Sequence, residues 1–168
     1  MGLKKTQERD IIRVLVHCAQ QEKSYNPYYS LVISKFCENI SFKVTLQYCI
    51  WDTLQNFSCE GDRGMIMLNN LANLFYDLTK LDHTLITILK GLVFPLSNSN
   101  CLFLGKLFQL LMKNNTQQQF LKLFKNLKQV DKTGCCDNIL IFLKSQKFAM
   151  FCGDLDFKPF VKVAKTLF

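Results

Sequence analysis

The sequence predicts an all-α chain of antiparallel helical hairpins, stacked side by side as a HEAT-like α-solenoid. Three observations carry this expectation. Apolar residues recur at the helical period almost from end to end, without the alternation of strands. Seven Gly and three Pro among 168 residues leave little material for a turn-rich β fold. Short polar breaks divide the chain into eight segments of about 10 to 18 residues, the length of ordinary globular helices. Helix pairs joined by short loops pack as hairpins, and stacked hairpins build long binding surfaces with little catalytic geometry.

The elements follow in order. Thr6 is placed to cap a first helix, with Glu8 favourable toward its dipole and Ile11, Ile12, Leu15, Cys18 and Ala19 as its stripe. "SYNPYY" is a break in which Asn26 caps and Pro27 takes the first helical position, where its missing N–H costs nothing. Leu31, Val32, Phe36 and Cys37 continue that second helix. Ser41 is expected to cap a third, which carries Phe42, Leu46, Cys49, Ile50 and Leu54 with Trp51 alongside. "NFSCEGDRG" then reads as an exposed loop before a fourth helix through Leu68, Leu71, Leu74, Phe75 and Leu78.

In the second half, Asp82 is expected to start a short fifth helix ending at Gly91. "SNSN" caps a sixth with Leu104, Leu107, Phe108 and Leu111. Thr116 opens a seventh, its inward face Phe120, Leu123, Phe124 and Leu127 and its outward face Lys122, Lys125 and Lys128. An eighth runs from about Asp137 through Leu140, Phe142 and Leu143 to Met150. The domain is expected to span residues 1–150, with 151–168 as a terminal amphipathic segment that ends in "DFKPFVKVAKTLF".

Composition excludes several function classes. No apolar run approaches the roughly 18 residues that span a bilayer, and "KKTQERD" interrupts any secretory pattern, so an intracellular soluble chain with no membrane partner is expected. The opening "MGLKKT" also fits the short pattern for myristoylation at Gly2, which competes with a loop-to-helix reading of the same residues. The eight cysteines, Cys18, Cys37, Cys49, Cys59, Cys101, Cys135, Cys136 and Cys152, contain no C-x-x-C. His17 and His83 lack zinc-site spacing, so reduced core thiols are expected rather than a metal centre. The phosphate-cradling and nucleophile-elbow glycine patterns are also missing. Nothing points to an enzyme, a cofactor or a small-molecule substrate.

Charge is uneven. Of the net +8, residues 1–100 contribute +1 and residues 101–168 contribute +7. Such asymmetry suits contact with nucleic acid or an acidic partner. Lys122, Lys125, Lys128, Lys158, Lys162 and Lys165 are the candidates for RNA contact. The chain has no Arg after Arg63, so the planar fork favoured for phosphate is missing from that region. Phe160 and Phe168 stand near the last three lysines, where packing is expected rather than base stacking.

One stretch, "GLKKTQERDIIRVLVHCAQQEKSYNPYYSLVISKFCE", resembles the MA-three domain of the nucleolar MIF-four-G protein family. "IWD", "NNLANLF" and "FLKLF…DNILIFL" resemble later parts of the same domain and its extension, collinear to about residue 150 and absent beyond. The MA-three domain of the spliceosomal Cwc-twenty-two type has a similar stretch before its second helix, but "KTQERD", "YNPYY" and "IWD" look more like the nucleolar family.

The resemblance implies a non-catalytic scaffold that docks a DEAD-box RNA helicase of the initiation-factor-four-A class. It also implies a nucleolar setting, small-subunit ribosome assembly, 18S rRNA processing, and pre-ribosomal RNA or protein partners. In such domains acidic residues leading into the fourth helix grip the helicase. The matching stretch here is "WDTLQNFSCEGDRG", with Asp52, Glu60 and Asp62 as candidate acids and Arg63 beside them; the "SCEGDRGMIM" segment departs from the family pattern. The resemblance also implies an antiparallel helix ahead of the one near Thr6. Without it, the stripe at Ile11, Leu15 and Cys18 is expected to be partly uncovered.

Overall fold

The computed structural model describes residues 5–58 and 60–166, with side chains from Asp10 onward. It is helical throughout, with no strand among the described residues. The elements are α1 (Lys5–Gln21), α2 (Tyr28–Phe36), α3 (Ile40–Asn56), α4 (Gly61–Leu81), a 3₁₀ helix (His83–Gly91), α5 (Asn98–Asn114), α6 (Gln117–Val130), α7 (Cys135–Lys144), α8 (Gln146–Cys152) and α9 (Lys158–Lys165). They form two compact units, Met1–Asp82 and His83–Phe168. Charge divides with them. The first unit carries nine Lys/Arg and nine Asp/Glu, a net of zero; the second carries twelve Lys and four Asp, a net of +8.

In the first unit α1 packs on α2, α3 and α4, and α2 packs on α4. The core is Ile12, Val16 and Ala19 from α1, Ile33 from α2, Leu46, Cys49, Ile50 and Leu54 from α3, and Leu68, Leu71, Leu74, Phe75 and Leu78 from α4. Each fully buried aliphatic or aromatic side chain contributes about 1.5–3 kcal/mol. The buried stripe of α1 is therefore rotated from the expected one: Ile11, Leu15 and Cys18 are only half-buried beside it. The same shift occurs on α2, where Ser30 and Ile33 face inward and Leu31 is 55% exposed. Apolar residues on both sides of these short helices leave the phase open until neighbouring helices choose it.

Polar contacts pin the end of α1 onto α4. The Asn70 side-chain amide donates to the carbonyls of Gln20 (3.3 Å) and Glu22 (2.8 Å), which the helix end leaves without intrahelical partners. Tyr25 donates its hydroxyl to Asp77 (2.5 Å), and burial and that bond both push its pKa up. Lys43 on α3 pairs with Asp82, the residue that closes α4 (2.5 Å).

In the second unit α6 packs on the 3₁₀ helix, α5, α7 and α9, while α8 packs on α5 and α7. Phe103, Leu104, Leu107 and Phe108 of α5, Phe120, Leu123, Phe124 and Leu127 of α6, and Phe148 of α8 are buried. Aromatic rings join in sequence: Phe108 meets Phe120 at 6.1 Å and Phe120 meets Phe160 of α9 at 5.5 Å, both edge-on. Phe160 is thus a packing residue, as expected; Phe168 lies outside the described residues.

Several expected boundaries move for identifiable reasons. α1 already runs at Lys5, ahead of the expected cap at Thr6. Ser41 does not cap α3; Asn39 does, its side chain accepting from the Ser41 N–H (2.9 Å). α3 runs to Asn56 and α4 begins at Gly61, so both ends of the expected loop "NFSCEGDRG" are helical. Asp82 ends α4 rather than starting the next segment, which is 3₁₀. The expected eighth helix is two, because Ser145 closes α7 and its hydroxyl accepts from the Phe148 N–H to start α8 (3.3 Å). Ser97 and Thr116 cap α5 and α6 as expected, Thr116 in a full capping box with Gln119.

α7 starts at Cys135, where the sequence pointed to Asp137. The missed signal was Asp131. Gly134, at φ 73°, supplies the left-handed residue that L side chains resist and turns the chain under that carboxylate. Asp131 then accepts from the N–H groups of Thr133 (3.0 Å), Cys135 (3.0 Å) and Cys136 (2.7 Å). Burial would raise its pKa, but these donors outweigh burial and hold the carboxyl at about 2.

Candidate interaction surface

Among the described residues no group of three or more His, Cys, Asp or Glu side chains is placed to hold a metal ion, and no helix is long and apolar enough to cross a membrane. Most of the described cysteines are core residues. Cys37, Cys49, Cys135, Cys136 and Cys152 are buried free thiols, and Cys135 donates to the Leu89 carbonyl (3.2 Å). Burial raises the thiols of Cys37 and Cys152 to about 11 and that of Cys135 to about 12, so each stays protonated and unreactive at neutral pH.

The four residues singled out around the third and fourth helices fall into two places. Asp52 is exposed near the end of α3 and lines a small cavity of about 290 Å³ with Arg13, His17, Gln20, Cys49 and Thr53. Glu60 and Asp62 sit at the start of α4, both exposed. Glu60 occupies the cap position but makes no side-chain cap bond, and Asp62 lies in the first turn, where a negative charge is favourable toward the dipole. Arg63 is committed internally. Its guanidinium donates to the Gln21 side chain (2.7 Å), tying the start of α4 to the end of α1.

The six candidate lysines of the second unit lie on α6 and α9, two helices that pack together. Lys122 and Lys125 are exposed on the outer face of α6 and Lys128 is half-buried, short of the fully outward position expected for it. Lys158, Lys162 and Lys165 are exposed on α9. Lys158 and Lys162 line a cavity with Gln117, Asp156, Pro159 and Val163. Phe120 and Phe160 form the seam beneath.

Sequence reasoning missed a groove between α1 and α3. It is lined by Asp10, Arg13, Ile40, Ser41, Val44, Thr45 and Tyr48 and encloses about 460 Å³. The adjoining cavity at Asp52 shares Arg13. Lining residues advance together along both helices, so α1 and α3 run side by side in the same sense. Ile40, Val44 and Tyr48 are 75%, 46% and 53% exposed, and the Tyr48 ring meets Trp51 edge-on at 5.4 Å. The spacing i, i+4, i+8 was legible, but the inward stripe of α3 had already accounted for the helix.

Residues 1–84, half of the chain, match the family model described as MA3 domain. The chain belongs to the MA3 family. The MA3 match takes in the whole of the first unit, so Asp52, Glu60, Asp62 and Arg63 lie within it and the candidate lysines lie outside. Over 136 residues the chain is 34% identical to the human nucleolar MIF4G domain-containing protein 1, covering 80% of this chain and 16% of that protein. It is 30% identical to the mouse protein of the same name over the same shares. It is 31% identical to suppressor of glycerol defect protein 1 of Schizosaccharomyces pombe, covering 76% of this chain and 18% of that protein. The chain therefore spans less than a fifth of the length of these relatives. No solved structure matches it.

Proposed function

We propose that this chain is a non-catalytic docking module that engages a DEAD-box RNA helicase of the initiation-factor-four-A class in the nucleolus. There it would serve small-subunit ribosome assembly and 18S rRNA processing. The likeness to proteins named nucleolar MIF4G domain-containing protein 1, extending beyond the MA3 match into the second unit, is the observation that carries this reading. Asp52, Glu60 and Asp62 are exposed and available to basic groups of the helicase. Their charges set orientation and encounter rate more than affinity. Reversing Glu60 and Asp62 to Lys together should abolish helicase capture from nuclear extract at moderate salt while the helical circular dichroism is retained. Unchanged capture would remove these two acids from the interface.

A second reading has its own observation. The second unit holds the entire net charge of +8, and the lysine-bearing helices α6 and α9 pack on one another. In this reading Lys122, Lys125, Lys128, Lys158, Lys162 and Lys165 contact phosphates of pre-ribosomal RNA. Filter binding across a salt series tests it, since each phosphate contact steepens the salt dependence. Replacing Lys158, Lys162 and Lys165 by Gln should flatten the slope; no RNA retention at low salt would end the reading.

A further inference from the structure

We propose that Met65 and Ile66 anchor the docking surface at the start of α4. A basic surface of the helicase lays the stems of its Arg or Lys side chains across this pair, while the charged heads reach Asp62 and Glu60. The inference rests on the helicase reading above and adds the residues that hold the complex together.

The first observation is a break in the pattern of α4. The helix turns Leu68, Leu71, Leu74, Phe75 and Leu78 into the core, so its outward face should be polar. Yet Met65 is 44% and Ile66 41% exposed. They follow Asp62 by three and four residues, the spacing that brings side chains together on one helix face. A lone exposed apolar residue is ordinary; the core does not account for an adjoining pair beside a carboxylate. The flank is also open. Arg63 donates to Gln21 (2.7 Å), and the Gln21 amide donates to the Met67 sulfur (3.8 Å). Residues 63 and 67 therefore face the end of α1, and Asp62, Met65 and Ile66 face solvent. At the head of the helix, a Cβ on Gly61 would meet no atom within 4 Å.

The second observation, charge, selects the occupant. Glu60 and Asp62 are exposed and repel a polyanion such as RNA. Arg and Lys match both halves of the patch, because they pack an apolar stem while keeping the charged head at its rim. The two halves then have separate effects. Carboxylates govern encounter and orientation, whereas desolvated apolar anchors govern the lifetime of the complex.

Surface plasmon resonance of the full 168-residue chain over an immobilised, purified helicase of the initiation-factor-four-A class tests this. Met65→Ser with Ile66→Ser should raise koff at least about tenfold and leave kon within about twofold. Met65→Leu with Ile66→Leu, which restores apolar area, should recover most of the lifetime. Glu60→Lys with Asp62→Lys should act chiefly by lowering kon. A koff unchanged in the Ser pair, or a Leu pair as short-lived as the Ser pair, would overturn this proposal and leave the helicase reading standing. A wild-type chain that does not bind would overturn both. Sedimentation velocity covers the other occupant: a reversible dimer that the Ser pair abolishes would give the stripe to a second copy and overturn the proposal.

Discussion

Asp131 shows how much one carboxylate can organise. Its three N–H donors replace a conventional side-chain cap on α7, and they hold its folded pKa at about 2, below the usual value of about 3.9. A carboxyl depressed on folding contributes stability that is fully present above its unfolded pKa. That contribution is lost as pH falls toward the folded value. Asp131→Ala should therefore lower stability at neutral pH by about 1 kcal/mol, the usual worth of a cap, and reduce the additional loss between about pH 4 and 2. Urea titrations at several pH values compare the two slopes. Gly105 is a second single-residue dependency. A Cβ there would lie 2.6–2.8 Å from the ring of Phe151, on a helix that Gln109 also ties to the Phe151 carbonyl (2.6 Å). The helix-propensity gain of Ala, about 1 kcal/mol, should be outweighed by overpacking that costs about 1–3 kcal/mol. Gly105→Ala is expected to lower Tm, measured by thermal denaturation.

Single side chains of this kind also explain what the sequence made legible at the level of elements. Helix existence, the inward faces of α4, α5 and α6, and the caps at Ser97 and Thr116 could be read because period and cap coincide there. The phases of α1 and α2 could not. "IIRVLV" and "SLVIS" offer apolar residues on more than one side, and only packing against the neighbouring helices, α3 and α4 for α1 and α1 and α4 for α2, selects Val16 and Ile33. The candidate site was legible in the same uneven way. Exposure of Glu60 and Asp62 followed from the polar stretch "NFSCEGDRG", Asp52 was singled out by the resemblance alone, and the hydrogen bond of Arg63 depended on Gln21, 42 positions away. The break at Ser145 falls in the polar run "KSQK", which reads equally as the outer face of one continuous helix; the break is made by one hydroxyl that both accepts from the next helix and donates back to Phe142 (2.6 Å). Ser145→Ala should cost about 1 kcal/mol. It should also raise amide exchange in the first turn of α8 more than in α6, a difference visible by hydrogen–deuterium exchange.

For the whole molecule, the partition of charge between the units sets the response to solvent. A net of +8 on the second unit works against its own compactness, while the first unit has no such burden. Raising sodium chloride from about 50 to 500 mM shortens the screening length to a few ångströms. This should stabilise the second unit by about 1 kcal/mol and leave the first nearly unchanged. Unit-resolved hydrogen exchange at the two salt concentrations measures it, and equal responses would show that local pairing, not net charge, governs both.

The same partition has a consequence for how the chain finds its surroundings. A polyanionic surface attracts the cationic half first, and the peptide bond at residues 82–83 makes the neutral half a tethered ligand rather than a free one. Tethering converts its next encounter into an intramolecular event at an effective concentration of about a millimolar. Contacts that would be too weak for a free domain then become sufficient.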